Sequence, residues 1–357
     1  MIILNSFNLT SQTKKSIVRN IKKVIKYCLK ISQNREIEIE QEITKPYRCK
    51  LKSLESRLKA VKFSSESAYI FDMRDEIICE LEDTEKLIQK LEKLSLVIQS
   101  EWIEEATDML YEKSLSETIS YIDSKISLIS KDDLDYVDML FYKVNLLRLN
   151  RDFNGAIEVY ELLLGVEFSY KYIFEYACFL QYSADNYELS EVLHRELLAM
   201  PLLPEQRAQT LYCLASMHYI ENKFDLSEKE YKEALSFYKI SIDNKLEYRG
   251  IVADILYKLA LIHVREDDNE KLRLAESEFN DAISKYKSLM MKFPQQYIHK
   301  IADVLAQLAK LHLKVGKKDL AKKEYRELFK RYKVLAKDYP NRYYHKIKKV
   351  NQVLVNF

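Results

Sequence analysis

Apolar residues recur with helical spacing along almost the whole chain, and two different patterns succeed one another. From Ser16, Ile17, Ile21, Val24, Ile25, Cys28 and Leu29 fall on one face of a helix, with lysines opposite. Beyond Lys50, Leu51, Leu54, Leu58 and Val61 follow a three-four alternation. The same alternation runs through Ile70, Met73, Ile77, Leu81, Thr84, Ile88, Leu91 and Ile98. Stripes of this kind predict a helical bundle or antiparallel coiled coil over residues 1–99. The stretch Arg35–Ile43 (REIEIEQEI) alternates with period two, the signature of a short strand. Among so many helices, and closed by Pro46, it reads instead as a helix end or linker.

A second pattern takes over near residue 135, where the sequence repeats. Leu140–Leu164 aligns with Leu211–Leu235: a helix, a short polar corner with an aromatic, then a small residue and, four positions on, a ring. The small residue is Ala156, Ser190, Ser227, Ala275 and Ala321 in successive copies, and the later residue Tyr160, His194, Tyr231, Phe279 and Tyr325. Two antiparallel helices approach closely only where a small side chain lies between their axes, with large ones filling the flanking holes. The copies are spaced 34, 37, 48 and 46 residues apart, and the longer spacings predict extended second helices. The long copies share Tyr238, Tyr286 and Tyr332, then Tyr248, Tyr297 and Tyr343, and two of them Pro294 and Pro340. Residues 100–134, around Trp102, Ala106, Leu115, Ile119 and Ile122, read as a degenerate leading repeat or a linker.

This pattern resembles the tetratricopeptide (TPR) repeat, whose period is about 34 residues. The resemblance covers roughly residues 135–357. It implies a TPR-like right-handed α-solenoid of about five helix pairs, with Tyr343–Phe357 as a C-terminal capping helix. It also implies a concave groove lined by the first helix of each pair. Matched by helix position, that groove takes Phe141, Asn145 and Arg148, then Tyr172, Glu175, Phe179 and Tyr182. Tyr212, Ser216, Tyr219, Asp254, Tyr257 and Lys310 follow. Asn145 and Arg148 resemble part of the carboxylate-gripping arrangement of some family members, although Phe141 stands where that arrangement places a lysine. The implied function is a non-catalytic scaffold or adaptor holding a protein or peptide; the alternative is a peptide-sensing regulator whose groove controls the N-terminal helices.

Composition supports the helical reading. The chain holds only 4 Gly and 5 Pro in 357 residues, too few for the many turns of a sheet protein, while 47% hydrophobic residues exclude a disordered chain. The 26 Tyr suit a thin core whose rings keep one edge wet. Charge is segregated: residues 14–62 carry 15 Lys/Arg against 5 Asp/Glu, and residues 310–349 carry 15 against 4, so the middle is strongly acidic. Solvated helix surfaces explain such runs. Self-association through the N-terminal helices or the oppositely charged regions is the further expectation. The basic residues near the C-terminus fall all round their helices without an interleaved stacking platform, so no specific nucleic acid is expected.

Candidate chemistry is sparse. Gly155, Gly165, Gly250 and Gly316 form no phosphate loop, and no metalloprotease, nucleophile-elbow or calcium-loop motif occurs. Cys28, Cys49, Cys79, Cys178 and Cys213 make no CxxC pair, so they read as reduced thiols, most of them buried. His218, His263 and His312 occupy one place in three copies (LASMH, LALIH, LAKLH), too far apart to share an ion, and read as rings packed between helices. No enzyme activity, cofactor or metal is expected. The first residues lack a signal-peptide pattern and no stretch is apolar enough to span a membrane, which points to a cytoplasmic setting.

Overall fold

The computed structural model describes Lys45 and residues 48–54, 56–57, 65–98, 100–241, 246–266, 268–338 and 340–357. The first stripe (Ile17–Leu29), the stretch Arg35–Ile43, Pro46, Leu58 and Val61 lie outside them. Among the described residues the fold is all-α, without strands. No helix there is long and apolar enough to cross a membrane. The described residues form two compact units, one ending at Glu167 and the other Phe168–Phe357.

In the first unit a helical segment at 48–54 lies along α1 (Ser65–Val97). Leu51 and Leu54 pack on Met73 and Ile77, and Arg48 reaches Glu85 at 3.0 Å, so the two run in opposite directions. Then come α2 (Glu101–Glu112), α3 (Leu115–Leu128), α4 (Leu134–Leu149) and α5 (Phe153–Val166). Residues 100–134 thus form a helix pair, opened by a capping box between Ser114 and Glu117. α1 packs on α2 and α4. Ile88, Leu91, Ile103, Ala106, Ile122 and Tyr142 fill the space between them, and the Trp102 and Tyr142 rings meet edge to face at 5.8 Å.

The second unit is a run of helices, each packed on the next: α6 (Tyr170–Tyr182), α7 (Tyr187–Ala199), α8 (Pro204–Ile220), α9 (Phe224–Ser241), α10 (Leu246–Glu266), α11 (Asn269–Met290), α12 (Pro294–Lys314), α13 (Lys318–Asp338) and α14 (Pro340–Val355). These are TPR-like helix pairs. The small residues Ser190, Ser227, Ala275 and Ala321 are fully buried. Ser190 Oγ donates to the Ala177 carbonyl (2.9 Å) and Ser227 Oγ to the Ala215 carbonyl (2.8 Å), which binds each second helix to its first. The longer spacings come from both helices of a pair rather than the second alone: α10 to α13 run to 21 or 22 residues, against 13 in α6 and α7. Antiparallel partners must lengthen together, because an overhanging turn would leave its apolar stripe in water. The shared tyrosines are ring pairs across the added turns: Tyr238–Tyr248 (5.3 Å), Tyr286–Tyr297 (5.9 Å) and Tyr332–Tyr343 (5.4 Å).

The corners repeat as well. Arg151, Asn222 and Gly316 adopt positive φ (60°, 61° and 78°) just past the ends of α4, α8 and α12. The following amide reaches back to the last turn: Asp152 N to Leu147 O, Lys223 N to His218 O, Lys317 N to His312 O, all within 2.8–2.9 Å. These are Schellman closures, which satisfy the orphan carbonyls and turn the chain into the next helix.

Candidate functional site

The residues matched to a groove fall into distinct environments. Phe141 and Asn145 are buried in the first unit, with Lys90 of α1 over the Phe141 ring at 4.9 Å. Asn145 Nδ2 donates to the Phe141 carbonyl at 2.6 Å, and half-buried Arg148 stands 3.4 Å from Tyr160 OH. Tyr172 and Phe179 are buried in the second unit, Glu175 is half-buried, and Tyr182 and Lys310 are exposed. Burial of Phe141, Asn145, Tyr172 and Phe179 makes them packing residues in this conformation.

Tyr212, Ser216 and Tyr219 on α8, with Asp254 and Tyr257 on α10, are half-buried and share one surface. Asp254 takes Lys300 Nζ of α12 on both carboxylate oxygens at 2.8 Å and also accepts from Tyr286 OH. Ser216 Oγ and Tyr231 OH meet at 2.9 Å. Lys258, absent from the sequence-derived set, sits among these rings with Nζ 4.3 Å from the Tyr219 centroid. Burial pushes its pKa down, and the Asp254 charge opposes this only in part. Its Nζ has no carboxylate within 4.0 Å among the described residues. The surface therefore holds rigid rings and a half-buried cation with no carboxylate in direct contact. Alignment by helix position points to the tyrosines; only the packing singles out Lys258.

The three equivalent histidines hold a contact the sequence reading missed. Each is buried and lies between two carboxylates, one from its own second helix and one from the preceding pair. His218 on α8 meets Glu230 of α9 at 2.7 Å and Glu191 of α7 at 3.5 Å. His263 on α10 meets Glu278 of α11 at 2.7 Å and Glu228 of α9 at 3.1 Å. His312 on α12 meets Glu324 of α13 at 2.7 Å and Glu276 of α11 at 3.1 Å. A lysine closes each cluster: Lys223 on Glu191 (3.4 Å), Lys271 on Glu228 (3.2 Å), Lys317 on Glu276 (2.5 Å). Burial favours the neutral form of His218 and His263, but the flanking glutamates outweigh it and raise both above the ordinary histidine range. Burial also works against ionised Glu228, yet Lys232, His263 and Lys271 hold it down to about 2. A sequence signal existed: a glutamate directly after the small residue in Ser190-Glu191, Ser227-Glu228 and Ala275-Glu276, and a second three positions after it at Glu230, Glu278 and Glu324.

No protein-family model matches the chain, and no curated protein does. Solved structures do. A crystal structure of BtubC from P. vanneervenii is 15% identical, covers 63% of this chain and 93% of its own, and has a TM-score of 0.49. PilW, a type IV pilus biogenesis factor, is 15% identical over 69% of this chain and 95% of its own, at 0.45. The apo quorum sensor NprR from B. thuringiensis is 15% identical over 97% and 94%, at 0.31. The class itself follows from the small-residue contacts, ring pairs and Schellman corners: a TPR-like helical-repeat protein.

Proposed function

We propose that the chain is a non-catalytic scaffold or adaptor whose second unit captures a protein segment on the face formed by α8, α10 and α12. Lys258 carries this reading. A half-buried ammonium held on an aromatic ring without a carboxylate partner loses solvation that an incoming anionic group restores. Tyr212, Tyr219 and Tyr257 add contact area at low entropic cost, as binding anchors do. The ligand this chemistry fits is an extended or helical peptide bearing a carboxylate, set between aromatic contacts.

Selection of random peptides on the full-length protein tests it. Enriched sequences should carry Asp, Glu or a free C-terminus at a fixed position. Lys258→Met should weaken their binding at least tenfold, and Tyr219→Ala with Tyr257→Ala by about 2 kcal/mol or more each, with melting curves unchanged. Enrichment identical on the triple variant would overturn the proposal.

A further inference from the structure

One copy of the repeat departs from the others in its chemistry. Where Tyr160, Tyr231, Phe279 and Tyr325 supply a ring, the pair α6–α7 has His194, fully buried. The matching carbonyl anchors, Ala177 for Ser190 and Ala215 for Ser227, set Cys178 against Ser216 and His194 against Tyr231. In the next pair those two positions form the Ser216–Tyr231 hydroxyl contact. Here they are a thiol and an imidazole, and buried Cys213 of α8 joins them. The two sulfurs and a ring nitrogen of His194 all lie within 4.8 Å of one another, and the Sγ–Sγ distance is 3.9 Å.

The imidazole is already set for coordination. His194 Nδ1 lies 2.8 Å from the Ser190 carbonyl, so that nitrogen carries the proton and Nε2 the lone pair. Nε2 is buried and has no hydrogen-bond partner. Ligating histidines characteristically donate their other N–H to a backbone carbonyl in this way. Two thiolates about 2.3 Å from a tetrahedral ion stand roughly 3.8 Å apart, close to the spacing present.

We propose that Cys178 Sγ, Cys213 Sγ and His194 Nε2 bind a single zinc ion, with the fourth position left to water or to a partner's side chain. Both thiols release their protons to solvent on binding and the imidazole ligates in its neutral form, so two thiolates balance the dication and the complex enters the core uncharged. Half-buried Cys178 is the side open to entry. The ligands lie on three helices and 16 to 35 residues apart, which is why no cysteine motif announces them.

Cobalt(II) titration of the reduced, chelator-treated full-length protein is the test. One equivalent should develop sulfur-to-cobalt charge-transfer absorption and tetrahedral ligand-field bands, both bleached by one equivalent of zinc. Cys178→Ser with Cys213→Ser should abolish the charge-transfer band, and His194→Gln should weaken cobalt binding at least tenfold. Cys178→Ser installs the residue of the next pair, and circular dichroism verifies the fold. The glutamate–histidine clusters around His218 and His263 would bind cobalt without sulfur bands. A wild-type spectrum of that kind, or a reduced protein that takes up no metal and merely oxidises to a Cys178–Cys213 disulfide, would overturn the proposal.

Discussion

At one aligned pair of positions the helix pairs α4–α5 and α6–α7 carry Leu147 and Val159, and Leu180 and Leu193, all buried. The three later pairs fill those positions with His218 and Glu230, His263 and Glu278, and His312 and Glu324. Both solutions close the same space between antiparallel helices. They differ in reach. A leucine contact ends at its neighbour, whereas a histidine has a second nitrogen, and each one faces a carboxylate of the preceding pair. The polar version also demands complete satisfaction, because a buried charge stripped of its partner costs far more than an intact pair contributes.

The sharpest way to break the comparison is to strand one member. Glu278→Leu leaves His263 without its 2.7 Å partner and should destabilise the protein by about 3 kcal/mol. Adding His263→Leu rebuilds the leucine version and should recover most of that loss. Denaturant unfolding of both single variants and the double variant measures the coupling. A double variant as unstable as Glu278→Leu would mean that the two versions are not interchangeable.

Acidity separates the versions next. His218 and His263 are raised in the folded state, so their contribution is complete below the unfolded histidine pKa of about 6.5 and fades as pH rises through the folded values. Glu228 is depressed, so its contribution is present above about 4.5 and fades as pH falls towards about 2. Melting temperature should therefore decline from mildly acidic to alkaline pH. In the variant carrying leucine at positions 218 and 263, with apolar partners, that alkaline decline should flatten.

The corners sharpen the comparison most gently. Gly316→Ala at φ 78° should cost about 1 kcal/mol, while Arg151→Gly at φ 60° should be neutral or slightly stabilising, both read by thermal melts.

Most of the fold was legible because close helix approach demands a small residue at a fixed place, and Ala156, Ser190, Ser227, Ala275 and Ala321 display it. The candidate site was less so. Matching helix positions tells which side of a helix Phe141 or Tyr172 occupies, but not what other element lies over it, and α1 covers Phe141 from a distant stretch of sequence. His218 read alone is one more ring. Its meaning emerges only with Glu191 and Glu230, from helices on either side of its own. Cys178, His194 and Cys213 are likewise joined only in three dimensions.

Helices α9 and α11 each serve two histidines: Glu230 and Glu228 on the one, Glu278 and Glu276 on the other. In a linear array of repeats, stability divides into what each repeat holds by itself and what it shares with its neighbours. Shared carboxylates move weight into the second part. The stretch from α7 to α13 is thereby tied into one cooperative block that resists fraying from within. Amide hydrogen exchange across those helices would proceed through a common opening event rather than helix by helix.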